Sequence, residues 1–230
     1  MALLQESDRR IVSERLASIE HPVRLLFFTQ TIGAPESALV ARQILDEVAS
    51  LHDKVTVEEV NFVLEKDRAA TYGIEDIPAI VLLQNDTDTR MRFLGAPSGY
   101  EFMSLIDAVV LAGTTDSGLS ETTRQSLKSG VTEPVDILVF VTPTCPHCPK
   151  AVTLAHRLAV ESPQIRATCV EATEFMELSR RYRVNGVPKT VVVNRDVELL
   201  GALPEDEFVK GILAGVGVNQ SDDGGEPVHR

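Results

Sequence analysis

The sequence predicts an α/β fold built from two tandem units, each a mixed β-sheet flanked by helices. Three observations carry that expectation: an internal repeat, one order of elements read twice, and a Cys-x-x-Cys pair where a strand passes into a helix. The repeat is direct. "YGIEDIPAIVL" (72–82) aligns without a gap with "YRVNGVPKTVV" (182–192), and "FLGAPSGYEF" (93–102) with "LLGALPEDEF" (199–208). Pro78 thereby meets Pro188, Gly95 meets Gly201 and Glu101 meets Glu207. Repeats of roughly 110 residues are small domains rather than the short modules of a solenoid.

Each half reads strand, helix, strand, helix, strand, strand, helix. In the first half the strands are 23–29, 55–60, 79–83 and 90–94, and the helices about 36–50, 66–72 and 99–111. "RLLFFTQT" from Arg24 parallels "DILVFVTPT" from Asp136, and "VDILVFVT" is a short apolar run rich in β-branched residues, a buried strand. In "CPHCPKAVTLAHRLAVE" the apolar Val152, Leu154, Ala155, Leu158 and Ala159 recur at helical spacing. "QIRATCVEA" reads as a strand, and "TEFMELSRRY" as a short helix with Thr173 as its N-cap. "KTVVV" and "VELLGA" are strands joined by the turn-like "NRD". Pro204 opens a last helix running to about Gly215. A further amphipathic helix precedes each half, at about 5–19 and 120–129. The small polar segment "GTTDSGLS" (113–120) marks a linker. The expected boundaries are a first unit over 1–116, a second over 117–218 and a disordered tail over 219–230.

Composition narrows the function. The chain of 230 residues is 43% hydrophobic and 24% charged, as suits a soluble globular protein with a real core. With 34 acidic against 22 basic residues its net charge is -12, which argues against a nucleic-acid partner, since phosphate calls for a positive surface. The N-terminus lacks the apolar stretch of a secretory leader, and no run approaches the ~18 apolar residues of a membrane span. A cytoplasmic protein without a membrane partner is expected. Three cysteines are too few for a disulfide framework, so a close pair in that compartment points to catalysis or metal binding.

The pair is Cys145 and Cys148, in "TCPHCPK". Disulfide exchange needs one thiolate to attack and a second thiol to release the mixed disulfide. Cys145 stands between a strand and a helix, where unpaired N–H groups favour a thiolate. Cys148 lies one turn further in, as a resolving thiol would. Pro146 suits a first helical turn, and His147 adds a donor or a positive charge, so both are read as tuning the pair. A zinc site usually needs four ligands, commonly two separated pairs, and the chain has no second Cys-x-x-Cys. No metal is expected; a site recruiting His147, His156 and Cys169, or a non-catalytic adaptor, is the alternative of another class.

The order of elements, the Cys-x-x-Cys at the first strand–helix junction and the proline before the third strand resemble the thioredoxin fold. In tandem, with "GAPSGYEF" after the first unit and a helix at "ETTRQ" before the second, they resemble the protein disulfide oxidoreductases, also called glutaredoxin-like proteins. The resemblance covers about 5–216. It implies two thioredoxin-like units and dithiol–disulfide exchange with protein thiols and disulfides, with the cysteine pair itself as the redox group and no other cofactor. It also implies a cis peptide bond at Pro188, and at Pro78, with Val187 and Pro188 presenting backbone to a substrate strand. A separate reductase such as a thioredoxin-reductase-like flavoprotein would recharge the pair. Tandem units with one active pair also resemble the N-terminal region of flavoprotein alkyl hydroperoxide reductases, which makes an electron carrier to a peroxidase the second reading.

The chain departs from the thioredoxin pattern in three places. Thioredoxin has a buried acid six residues upstream of its first cysteine, where this chain has Val139; Glu171 on the next strand is the candidate substitute proton acceptor. In the first unit the motif position reads "APES", so Ala34 and Ser37 stand for the cysteines and that unit is expected to be redox-silent. "CPHC" is also the motif of the oxidant DsbA, which predicts a pair more oxidising than that of thioredoxin. Cys169, within a strand, is read as a small buried hydrophobe.

Overall fold

In the computed structural model, which describes residues 4–114 and 116–216, sixteen elements follow one another. The first half comprises α1 (Glu6–Leu16), β1 (Val23–Thr29), α2 (Glu36–Ala49), β2 (Val55–Asn61), α3 (Lys66–Thr71), β3 (Ala79–Gln84), β4 (Thr87–Leu94) and α4 (Glu101–Gly113). The second comprises α5 (Glu121–Gly130), β5 (Val135–Val141), α6 (Cys148–Glu161), β6 (Ile165–Glu171), α7 (Met176–Arg181), β7 (Lys189–Val192), β8 (Val197–Leu200) and α8 (Glu205–Val216). The order expected from sequence holds throughout. The expected tail at 219–230 lies outside the described residues.

The duplication is structural. β1 pairs parallel to β2 and antiparallel to β3, just as β5 pairs parallel to β6 and antiparallel to β7. Both prolines before the third strands, Pro78 and Pro188, follow cis peptide bonds. Each of their carbonyls accepts the N–H of the repeat glycine, Gly95 or Gly201, at 2.9 Å.

The two units do not keep separate sheets. β4 pairs parallel to β6, so all eight strands form one sheet in the order β2-β1-β3-β4-β6-β5-β7-β8. Side chains alternate across it, as a pleated strand requires. One face carries a single core that runs through both units, from Leu25 and Phe27 through Phe93 to Val139 and Cys169, closed over by the inner residues of α2, α4 and α6. The other face carries two smaller clusters, one beneath α3 and one against Leu178 and Tyr182. Polar ties cross the same junction: the Arg90 guanidinium donates to the Ala159 carbonyl of α6 at 2.7 Å. Among the described residues no helix is long and apolar enough to cross a membrane.

Two local expectations change. Thr173 does not cap α7, whose N-cap is Phe175. The Thr173 hydroxyl instead donates to the Glu171 carboxylate at 2.8 Å, a local side-chain bond that competes with capping. The helix expected from Cys145 begins at Cys148. The Cys148 N–H closes a turn on the Cys145 carbonyl at 3.4 Å, which leaves Pro146 in that turn. Pro149 is the proline of the first helical turn, where its missing N–H costs nothing.

Candidate active site

β5 delivers the chain to the motif loop at one end of the sheet. There Cys145 and Cys148 form a disulfide with their Cα atoms 5.5 Å apart. The two sulfur residues differ in access: Cys145 keeps 8% of its surface exposed and Cys148 none. Of the bridged pair, Cys145 is therefore the one that reaches the surface. His147 and Lys150 are exposed, and the His147 side chain makes no capping bond to α6.

The β5–β7 register sets Lys189 opposite Phe140. That places Pro188 beside Val141, at the end of β5 from which the motif loop leaves. Val187 is half-buried and, among the described residues, its backbone makes no hydrogen bond within the protein.

Glu171 is buried, with 3% of its surface exposed. Its carboxylate accepts from the Thr173 hydroxyl at 2.8 Å and from the Glu174 N–H at 2.6 Å. These bonds tie it to the loop between β6 and α7.

A different acid lies in the core near the motif, and it comes from the other unit. Glu101, in the first turn of α4, is 1% exposed. Its Oε2 accepts from the Cys169 thiol at 3.6 Å, and its Oε1 has no hydrogen-bond partner. Cys169 is the cross-strand neighbour of Val139, the position where the thioredoxin pattern has its acid. The start of α4 is fastened to the motif loop itself, because the Tyr100 N–H donates to the Pro143 carbonyl at 2.9 Å. Burial pushes the Glu101 carboxyl up to about 7, against the opposing pull of Ser104 and Cys169. Burial, then the nearby Glu101, raises the Cys169 thiol well above its usual range. Sequence reasoning missed Glu101 because its repeat partner, Glu207, is an ordinary exposed acid at a helix start.

The metal alternative needs the cysteines and histidines to converge. His156 is instead buried edge-on to Phe93, with ring centroids 5.1 Å apart, while Cys169 faces Glu101. Among the described residues no three acidic, cysteine or histidine side chains group as a metal would require.

In the first unit the corresponding loop has no thiol. Ala34 packs on the shared core, and the Ser37 hydroxyl lies against the Glu174 carboxyl. The cis Pro78 beside it is retained.

Known proteins agree with this geometry. The Thioredoxin domain family profile matches residues 135–214. The NTD_N/C domain of alkylhydroperoxide reductase AhpF from Enterococcus faecalis superimposes with a TM-score of 0.84 at 29% identity, over 91% of this chain and 99% of that one. A protein disulfide oxidoreductase from Aeropyrum pernix superimposes at 0.83 with 25% identity, over 92% of this chain and 93% of that one. A thioredoxin from Methanocaldococcus jannaschii is 34% identical over 79 residues, which is 34% of this chain and 92% of the thioredoxin. The chain spans about a third (32%) of the length of the curated alkyl hydroperoxide reductase F subunits it matches. A bridged Cys-x-x-Cys on two fused units of one architecture, matched in both sequence and fold, makes this a dithiol–disulfide oxidoreductase, and the chain belongs to the thioredoxin-fold disulfide oxidoreductase family.

Proposed function

We propose that Cys145 is the attacking thiol and Cys148 the resolving thiol of a single exchange centre, carried by an active unit over 117–218 beside a redox-silent unit over 1–116. The observation that supports it most is the unequal exposure of two bridged cysteines beside a cis proline. In the reducing direction the Cys145 thiolate attacks a protein disulfide and one substrate thiolate leaves. Cys148 then attacks the mixed disulfide, the second substrate thiolate leaves, and two electrons have passed to the substrate. Pro146 and His147 tune the thiolate from the turn before α6. Val187 and Pro188 dock the substrate backbone.

Cys148 is fully buried and must lose its proton to attack. Glu101 is the acid placed to take it: it is buried beside the motif loop and has a pKa near neutrality, where a general base works best. Glu171, committed to Thr173 and Glu174, holds the neighbouring loop. In a reducing cytoplasm the dithiol would be the resting form.

Insulin reduction by the full chain with dithiothreitol tests the assignment. Cys145→Ser is expected to abolish turnover, and Cys148→Ser to accumulate a mixed disulfide visible by mass. Turnover that survives Cys145→Ser would end this reading.

The match to the Enterococcus faecalis domain, along nearly all of that chain, favours a second use of the same centre. It would carry electrons from a separate flavoprotein disulfide reductase to a thiol peroxidase. A reductase–peroxidase assay in which peroxide removal depends on added chain and on Cys145 checks that role.

A further inference from the structure

The cysteine-free unit keeps an open groove where its own redox pair would have been. The groove, about 280 Å³ in volume, is bounded by Ser37, Ile77 and the cis Pro78 on one side and by Glu174 to Leu178 of the active unit on the other. Among the described residues the Ile77 backbone makes no hydrogen bond within the protein, matching Val187 at the active site. The groove offers an apolar contact in Met176, 56% exposed. Ile32, on the loop before α2, and Leu39, on α2 itself, are 88% and 69% exposed. Its rim is acidic. After burial, the negative charges of Glu75 and Glu177 push the Asp76 carboxyl up, with Arg181 opposing. Glu174 at the floor is likewise raised, chiefly by burial, while Ser37 and the Ala96 N–H pull the other way.

The two motif positions share one edge of the sheet. β1 and β5 run in the same direction, because β1 is antiparallel to β3, β3 antiparallel to β4, and β4, β6 and β5 mutually parallel. They are separated by four strand spacings, through β3, β4 and β6. At about 4.8 Å per spacing that is about 19 Å, the length of roughly six extended residues.

We infer that the cysteine-free groove is a docking subsite for the same polypeptide whose disulfide is exchanged at Cys145. Its occupant is an extended segment with basic residues flanking an apolar one, about six residues along the chain from the reacting cysteine. The basic residues match the rim, the apolar residue covers Met176, and the segment's backbone pairs with Ile77. The inference rests on Cys145 being the attacking thiol.

The test uses the reduced full chain and synthetic peptides that carry one cysteine capped as a mixed disulfide with thionitrobenzoate. Release of the chromophore reports exchange. One peptide carries Lys-Leu-Lys about six residues before the cysteine, one carries it as far after, one carries it two residues away, and one carries Glu-Ser-Glu instead. The anchor is expected to raise the second-order rate constant about tenfold at the six-residue spacing in one of the two polarities. The gain should fall with added salt and be absent at the two-residue spacing. Charge reversal at two exposed rim positions, Asp76→Lys with Glu177→Lys, should remove it. Equal rates for all four peptides, or a gain that survives the reversal, would overturn the inference. The free aryl disulfide reports Cys145 alone: equal reaction with both proteins is expected, and failure to react with wild type would overturn the Cys145 reading itself.

Discussion

Glu101 and Glu207 occupy one place in the repeat, yet the first is 1% exposed and the second lies in solvent. The difference is what packs on them, since only Glu101 has the motif loop and β6 of another unit above it. Replacing its carboxylate with an amide, Glu101→Gln, is expected to slow the Cys148 step roughly a hundredfold, the low end of what a positioned acid–base contributes. The pH–rate profile should lose its inflection near neutrality. Stability gives an independent reading. The carboxyl titrates at about 7 when folded and at 4.5 when free. Below the free value both states hold the proton. Between the two values only the unfolded chain gives its proton up, so stability falls as pH rises, by on the order of 3 kcal/mol. His156 acts in the opposite sense. Burial, only partly opposed by the Arg92 backbone, brings it to about 4 against a free value of 6.5. Between those values the unfolded chain takes a proton that the folded one refuses, so stability falls as pH falls, by a similar amount. Over the shared part of the window the two slopes cancel. Urea midpoints measured across that window should be nearly level for the wild type. They should fall with acid in Glu101→Gln and fall with alkali in His156→Leu.

At the scale of elements, the contact that matters most for the site is between the start of α4 and the motif loop. It depends on Gly99, which has φ +60 and packs its bare Cα against the Pro143 carbonyl. A methyl there meets that carbonyl and must also adopt the left-handed conformation. Gly99→Ala is expected to cost about 2 kcal/mol in urea unfolding and to lower the rate of Cys145 exchange. Were the two units merely tethered, stability and exchange rate would not move together. Much of this was readable in advance. The cysteine pair, the two prolines and the strand–helix alternation are local signals, and the repeat displayed them twice. The start of α6 is hidden in the sequence because the backbone closes a separate turn from Cys145 to Cys148 before the helix begins. Glu101 was illegible for a stronger reason. Its burial is set by β6 and the motif loop, far along the chain, and nothing near it in sequence announces them.

At the scale of the molecule, the shared core and the β4–β6 pairing bind the two units into one cooperative body. Hydrogen exchange in denaturant is expected to show the strands of both units opening together. The segment 117–218 made alone would lose β4 from the flank of β6 and α4 from above Cys169. It is expected to unfold at a markedly lower urea concentration than the same residues in the full chain. Separate transitions for the two halves would contradict this.

The way the units join also sets a hazard. β4 meets β6 head to tail, and the repeat gives each molecule the same two strands again at its ends, as β8 and β2. A join that does not close on itself can be repeated without limit, one molecule's β8 taking up the next one's β2 in an endless ribbon. Two features blunt that growth. β8 has four residues where β4 has eight. β2 presents Glu58 and Glu59, held in ion pairs with Arg24, Arg68 and Arg42. Lengthening the one and neutralising the other would remove both obstacles to such growth.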